Sequence, residues 1–265
     1  MTEHYDYDLT PHNTFGIMAR CKRFVAFDTV EEVQNTLPKL VACHELLVLG
    51  GGSNLLLTDD FDGTVVHSHI MGMERNEDGT EHVLLRCGSG LVWDEVVAQC
   101  LEKGLHGAEN LSLIPGEVGA TAVQNIGAYG AEVKDLITKV EAVEMETGRI
   151  VSFSNAQCEY AYRQSRFKRD WKDRYFITHV TYRLSRTFAP HLDYGNIKAA
   201  LAEKGIDNPT PAELRQAIID IRNAKLPDPK VEGNAGSFFM NPIVNWSKFE
   251  ALQALYPDMP HYIVD

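Results

Sequence analysis

The run Leu46-Leu47-Val48-Leu49 empties into Gly50-Gly51-Gly52-Ser53-Asn54, and no other feature narrows the folds open to this chain as far. Four consecutive aliphatic residues bounded by a turn signal read as a buried strand. The three glycines behind it give the backbone conformations that side chains forbid. Successive N–H groups in such a turn can converge on one phosphate oxygen, and Ser53 and Asn54 add side-chain hydrogen bonds. The segment lacks the Lys-Ser/Thr ending of a nucleotide P-loop and the GxGxxG spacing of a dinucleotide fingerprint. On the residues alone two readings stay open: a tight turn after a strand, or a cradle for a diphosphate cofactor on a fold different from both.

Around this turn the chain alternates strands and helices. Thr29 and Glu32 make a capping box for a short helix with Val30, Val33 and Leu37 on one face, and Pro38 predicts that the helix ends before it. Strands are expected at 64–67 and 83–87. A helix at 92–103 is closed by Gly104. A hairpin joins 140–145 to 149–153 through Glu146-Thr147-Gly148. A strand at 176–184 should put Phe176, Thr178, Val180, Tyr182 and Leu184 on one face. Thr210, Pro211 and Glu213 start a further helix with Leu214, Ala217, Ile218 and Ile221 on one side. Ser247 with Glu250 predicts the start of the last one. The composition shifts near 186–192. There is no repeat and no low-complexity tract.

Three other segments carry chemistry. From 107 to 130 the chain is rich in glycine and poor in charge, including Ile114-Pro115-Gly116-Glu117-Val118-Gly119 and Gln124-Asn125-Ile126-Gly127-Ala128-Tyr129-Gly130. It suits either a packed loop crossing or a bed for a planar ring laid on the main chain. Arg163, in Tyr162-Arg163-Gln164-Ser165-Arg166, is either part of a surface basic patch or a guanidinium that grips a carboxylate by two parallel bonds. Ser237, in Gly236-Ser237-Phe238-Phe239, is either a loop serine or a proton donor set in an apolar wall. It is not a nucleophile by sequence, since no G-x-S-x-G elbow surrounds it. Lys225 and Lys230 either meet phosphates or face water.

The excess of 37 acidic over 25 basic residues is the wrong sign for a nucleic-acid binder. No apolar run approaches a membrane span and the N-terminus is not a signal peptide. Five cysteines without a CxxC pair indicate reduced thiols and a cytoplasmic protein. His67 and His69 share a strand face but lack a third ligand in register, so no metal is expected.

Together with Asn13-Thr14-Phe15-Gly16, Tyr162 to Lys168 and Gly233-Asn234-Ala235-Gly236-Ser237-Phe238-Phe239, these segments resemble, in order and spacing, the UDP-N-acetylenolpyruvoylglucosamine reductase family, from about residue 11 to the end. The resemblance implies an α+β fold: a two-subdomain FAD-binding unit of the vanillyl-alcohol oxidase-like (PCMH-type) class, at 1–72 and 73–190, then an α+β substrate-binding domain at 191–265. It implies that NADPH reduces a bound FAD, which reduces the enolpyruvyl ether of a UDP-linked amino sugar to UDP-N-acetylmuramate for peptidoglycan synthesis. It also implies a monomer with no nucleic-acid or membrane partner. By motif match, Ser237 is the proton donor and Arg163 binds the carboxylate and stabilises the enolate. Gly50, Gly51, Gly52, Ser53, Asn54, Ile114, Pro115, Gly119, Asn125, Gly127, Ala128 and Tyr129 hold the cofactor. Tyr194, Lys225, Asn241 and Tyr262 contact substrate, Tyr194 marking the first of the family's two types.

Two departures follow from the same match. Met240 stands where many members have lysine. Members of this type also continue well past the position of Tyr262, with a glutamate that pairs with the arginine, so the chain reads as C-terminally truncated and its substrate domain as incomplete. The alternatives are an FAD-dependent oxidase on the same fold or, for this stretch alone, an FAD-binding but catalytically impaired piece.

Overall fold

The structure is a computed structural model that describes residues 1–42, 45–194, 196–236 and 238–263. Two sheets carry it. The first contains β1 (Thr2–Asp8), β2 (Arg20–Phe27), β3 (Leu46–Leu49) and β4 (Phe61–Ser68), with helix α1 (Val30–Val41) between β2 and β3. The spatial order is β1-β2-β4-β3. β1 runs antiparallel to β2, whereas β2 and β3 flank β4 in parallel. The strands alternate between two cores. Val25, Phe27 and Val66 pack under Val33, Leu37 and Leu40 of α1. Phe24, Ala26 and Val65 meet Leu9, Ala19 and Leu57 on the other face. β3 lies at the sheet edge, so it is less buried than its aliphatic run predicts: Leu49 is enclosed, but Val48 is 42% exposed.

The capping box of α1 is present, with Glu32 N–H donating to Thr29 Oγ1 and Thr29 N–H to Glu32 Oε2, both at 3.2 Å. The helix does not stop before Pro38 but contains it in its last turn. Pro38 cannot donate to the Gln34 carbonyl one turn back. Gly148 covers that carbonyl instead; a Cβ on Gly148 would come within 2.6 Å of it. Gln34 Nε2 in turn donates to Gly148 O at 3.0 Å.

The second sheet is wholly antiparallel, in the order β10-β9-β11-β6-β5. In chain order it begins with β5 (Met73–Asp78) and β6 (His82–Gly88), followed by α2 (Trp93–Glu102) and α3 (Val118–Gln124). A two-stranded ribbon, β7 (Gly127–Ala128) and β8 (Ala131–Glu132), precedes β9 (Ile137–Glu144), β10 (Ile150–Ser154), α4 (Asn155–Cys158) and β11 (Tyr175–Ser185). Helices α2 and α3 press Trp93, Val96, Val97, Val118 and Ala122 onto Val83, Leu85, Val140, Val180 and Tyr182. Two large polar side chains of this core are paired: Trp93 Nε1 donates to Leu111 O at 2.9 Å, and Tyr182 OH meets Thr121 Oγ1 at 2.7 Å.

β11 departs from simple alternation. Between Ile177 and His179 its register against β9 slips by one residue, leaving Thr178 as a bulge. The bulge changes which face each side chain takes. Val180, Tyr182 and Leu184 join the second sheet's core, while Phe176 joins the core under α1, 5.7 Å from Phe27 between ring centres. The expected single face from Phe176 to Leu184 is therefore broken at Thr178.

Past residue 186 come α5 (Ile197–Glu203), α6 (Pro211–Lys225) and α7 (Trp246–Leu255). α6 carries the predicted Thr210 capping box and buries Leu214, Ala217, Ile218 and Ile221. α7 starts earlier than its Ser247–Glu250 signal: Asn245 Oδ1 accepts Lys248 N–H at 2.9 Å, and no residue of α7 is buried. Among the described residues no helix is long and apolar enough to cross a membrane.

Candidate active site

The glycine turn after β3 faces the glycine turn before α3. Gly52 has φ +61°, and a Cβ there would lie 1.9 Å from His12 O. A Cβ on Gly51 would sit 3.2 Å from Gly116 Cα, and one on Gly116 would sit 3.0 Å from Ser53 Oγ. Only glycine lets these backbones approach this closely. Side chains then tie the loops together: Ser53 Oγ donates to Pro115 O at 3.0 Å and Asn54 Nδ2 to Gln124 Oε1 at 2.7 Å. Among the described residues, the N–H groups of Gly51, Gly52, Ser53 and Asn54 have no protein acceptor. A row of uncommitted N–H donors on a rigid turn is an anion nest.

Two chambers meet at this turn. The smaller, of about 260 Å³, is bounded by Leu47, Gly50, Gly52, Glu117 and Gly119. The larger, of about 1060 Å³, runs past Ile114, Pro115, Ala128, Tyr129 and Arg163 to Asn241. Gly51, Ser53, Asn54, Gln124 and Lys168 line both and form the neck between them. The larger chamber alone matches the upper end of small-ligand pockets, about 1,000 Å³. Four cationic side chains, Arg163, Lys168, Arg222 and Lys230, line it against Asp94 and Asp228. The chain is acidic, but this cleft is locally suited to an anion.

Arg163 sits at the tip of a tight turn with φ +55°, closed by mutual 3.0 Å bonds between the backbones of Ala161 and Gln164. Its Nη2 donates to Gly127 O, which fixes the guanidinium against the 127–130 ribbon. Tyr194 lines the same chamber and stacks on Tyr262, ring centres 5.6 Å apart. A Cβ on Gly130 would come within 2.9 Å of Tyr194 Cβ, so the glycine makes room for the tyrosine. The Asn13-Thr14-Phe15-Gly16 segment anchors the loop at 233–238: Asn234 N–H donates to Thr14 O at 2.8 Å, and a Cβ on Gly233 would strike Phe15 O at 1.9 Å. Thr14 Oγ1 is buried on the cleft wall without a partner among the described residues.

Of the expected site residues that the structure describes, Asn125, Lys225 and Tyr262 line neither chamber. Ser237 lies outside the described residues, although Gly236 and Phe238 beside it line the cleft. Asn125 lines neither chamber. It is fully enclosed with φ +46°, and its side chain bonds Ala161 O at 2.9 Å, Glu132 Oε1 at 3.1 Å and Lys134 N–H at 3.1 Å, so it shapes the loop from behind. Lys225, at the end of α6, is exposed and off the cleft lining, where Arg222 and Lys230 stand.

The arginines of α6 are the main residues that sequence reasoning did not single out. Arg222 Nε donates to Leu113 O at 3.2 Å, while Leu113 N–H donates to Asp94 Oδ1 at 2.5 Å. Leu113 itself has φ +56°, which a non-glycine residue rarely holds without such support. The available signal was spacing: Arg215 and Arg222 recur seven residues apart along the edge of an apolar helical stripe.

Comparison with known proteins agrees with this geometry. Residues 21–154 match the family model described as FAD binding domain. The chain is 48% identical over 260 residues to UDP-N-acetylenolpyruvoylglucosamine reductase of Bacteroides fragilis, covering 98% of this chain and 77% of that protein. It is 45% identical over 261 residues to the Neisseria gonorrhoeae protein of the same name, covering 97% and 75%. The crystal structure of the reductase from Thermus caldophilus superposes with a TM-score of 0.63 at 20% identity, over 91% of this chain and 74% of that one. A solvent-stable cholesterol oxidase superposes at 0.52 and 13% identity over 69% and 38%, a likeness of fold alone.

Proposed function

The chain belongs to the UDP-N-acetylenolpyruvoylglucosamine reductase family, and from that premise we propose that its two chambers hold FAD and a UDP-linked enolpyruvyl sugar, which it reduces to UDP-N-acetylmuramate at the expense of NADPH. The observation that carries the reading is the N–H nest at 51–54, set at a neck between two chambers. A dinucleotide suits this arrangement, with its diphosphate at the neck and its two halves on either side. The unpartnered Thr14 hydroxyl and the Cβ-free contacts of Gly51, Gly52 and Gly116 fit such a group. FAD, when bound, supplies hydride chemistry that no side chain can provide.

The remaining work falls to this chain's residues. Gly51, Gly52, Ser53 and Asn54 bind the diphosphate, with Gly50 and Gly119 on the smaller chamber and Ile114, Pro115, Gly127, Ala128 and Tyr129 beside the ring. Arg163 holds the enolpyruvyl carboxylate and stabilises the charge that develops on it as C3 gains hydride. Ser237 delivers the proton to C2, and its loop is positioned by Gly233 and Asn234 against Thr14 and Phe15. Tyr194, Asn241 and Tyr262, with Lys225 nearby, receive the nucleotide sugar. We divide the chain by function into 1–72, 73–190 and 191–265. We place the protein in the cytoplasm as a monomer, consistent with the unpaired thiols of Cys21, Cys87, Cys100 and Cys158.

Rapid mixing separates the two half-reactions. Ser237→Ala should leave flavin reduction by NADPH intact and slow reoxidation by the enolpyruvyl substrate ~10²–10⁴-fold. Equal loss in both halves would remove the proton-transfer role. NADPH oxidation that ignores the enolpyruvyl substrate, with rapid turnover of a simple alcohol and oxygen, would favour the oxidase reading instead.

A further inference from the structure

Glu117 has no part in the chemistry above, yet its carboxyl is packed against the glycine turn. Its Oε2 would lie 3.4 Å from a Cβ on Gly50, and its Oε1 3.8 Å from one on Gly51. It lines the smaller chamber, and its side chain is 14% exposed. On its other side Oε1 lies 3.6 Å from His67 Nε2, whose ring is 6% exposed. His67 Nδ1 is 2.8 Å from Leu49 O, a group that can only accept, so Nδ1 carries hydrogen and Nε2 is left facing the carboxyl.

At 3.6 Å the two groups face each other without a hydrogen bond, and Glu117 is the one left to carry a proton. Burial pushes the Glu117 carboxyl up to about 8 and the His67 imidazole down to about 4, so the proton rests on the glutamate. The surroundings offer little to oppose this. His12 and His69 flank His67, ring centres at 5.6 and 4.9 Å. Behind them stand Tyr7, whose hydroxyl meets His12 at 3.1 Å, and Asp28, 3.7 Å from His69. Lys168 and Tyr175 are the other titratable residues lining the smaller chamber.

We propose that Glu117 is a proton-linked binding residue for the cofactor, neutral while the diphosphate occupies the nest and repelling it once ionised. This rests on the reading of residues 51–54 as the FAD diphosphate site. Two negative charges on the diphosphate favour the protonated carboxyl, and by reciprocity the protonated carboxyl favours the diphosphate. Binding of FAD near pH 8 therefore takes up a fraction of a proton from solvent, approaching one at higher pH.

The test is FAD affinity of the whole chain, read by quenching of flavin fluorescence between pH 6.5 and 9.5. The wild-type dissociation constant should be flat near pH 7 and rise above pH 8, by up to ~tenfold per pH unit. Glu117→Gln, a neutral isostere, should match wild type at pH 7 and stay flat, binding several-fold tighter at pH 9.5. Parallel profiles for the two proteins would overturn the proposal. Calorimetry of wild type at pH 8 in two buffers of different ionisation enthalpy gives the proton uptake without a variant, and zero uptake would overturn it equally. Wild-type protein that binds no FAD even at pH 6.5 would remove the nest reading and the proposal with it.

Discussion

Arg215 grips Asp94 through two parallel bonds, Nη1 to Oδ1 at 2.7 Å and Nη2 to Oδ2 at 2.9 Å, across 121 residues of sequence. The same carboxylate accepts Leu113 N–H, so helix α6 sets the backbone that opens into Ile114-Pro115-Gly116. Helix α6 is in this way part of the wall of the larger chamber.

Arg215→Ala should therefore loosen the wall from a distance. Charge-assisted bonds of this kind contribute about 2 kcal/mol, and their loss should appear as a lower Tm and weaker FAD retention. Burial opposes the charge on Asp94, but the Arg215 and Leu113 bonds outweigh it and hold the carboxyl below its ordinary 3.8. A depressed acid contributes stability above its ordinary value, and that contribution is lost as pH falls through the lower folded value. The stability advantage of wild type over Asp94→Asn, measured by urea unfolding, should thus be full near pH 6 and vanish below pH 3.8. A constant difference across that range would mean that the ion pair is not its source.

Gly52→Ala should abolish cofactor loading. The new methyl would meet His12 O at 1.9 Å in a conformation of φ +61°, and neither the main chain at His12 nor the loop can yield without moving the nest. Gly79→Ala is the control. Its φ is +70° but nothing lies within 4 Å of the added carbon, so only the backbone cost of about 1 kcal/mol remains. Bound FAD per chain, read by absorbance, should fall in the first variant and hold in the second.

Arg163→Lys keeps the charge and removes the planar fork. The tether to Gly127 O and the paired grip on a carboxylate cannot both survive in an ammonium. Reduction of the enolpyruvyl substrate should slow ~10²-fold or more while flavin reduction by NADPH is unchanged. A matching loss in both halves would reassign Arg163 to holding the ribbon at 127–130.

Much of this could be read from the residues because local rules and tertiary packing agree. Thr29 and Thr210 cap their helices as their i, i+3 glutamates predict, and the turn at 50–54 lies where three glycines after a strand put it. The failures have separate physical causes. β1 reads as polar because it is an edge strand, its Tyr5 71% exposed. Pro38 did not stop α1 because it falls in the last turn, where the Gln34 carbonyl it leaves without a donor is packed against Gly148. Asn125 belongs to a cofactor motif by sequence, but its αL backbone and three protein partners turn the side chain inward. Glu117 and His67 lie 50 residues apart, and only the fold shows that they face each other.

The bulge at Thr178 has a consequence for how the molecule unfolds. Because one strand delivers Phe176 to the core beneath α1 and Val180 to the core beneath α2, neither sheet can lose its interior while the other keeps its own. The two sheets should melt in a single calorimetric transition. Deleting residue 178 would remove the bulge yet leave Phe176 and Val180 on opposite faces, so the link to weaken is Phe176 itself, and Phe176→Ala should begin to uncouple the two sheets. A local irregularity of the backbone thus makes two halves one cooperative unit.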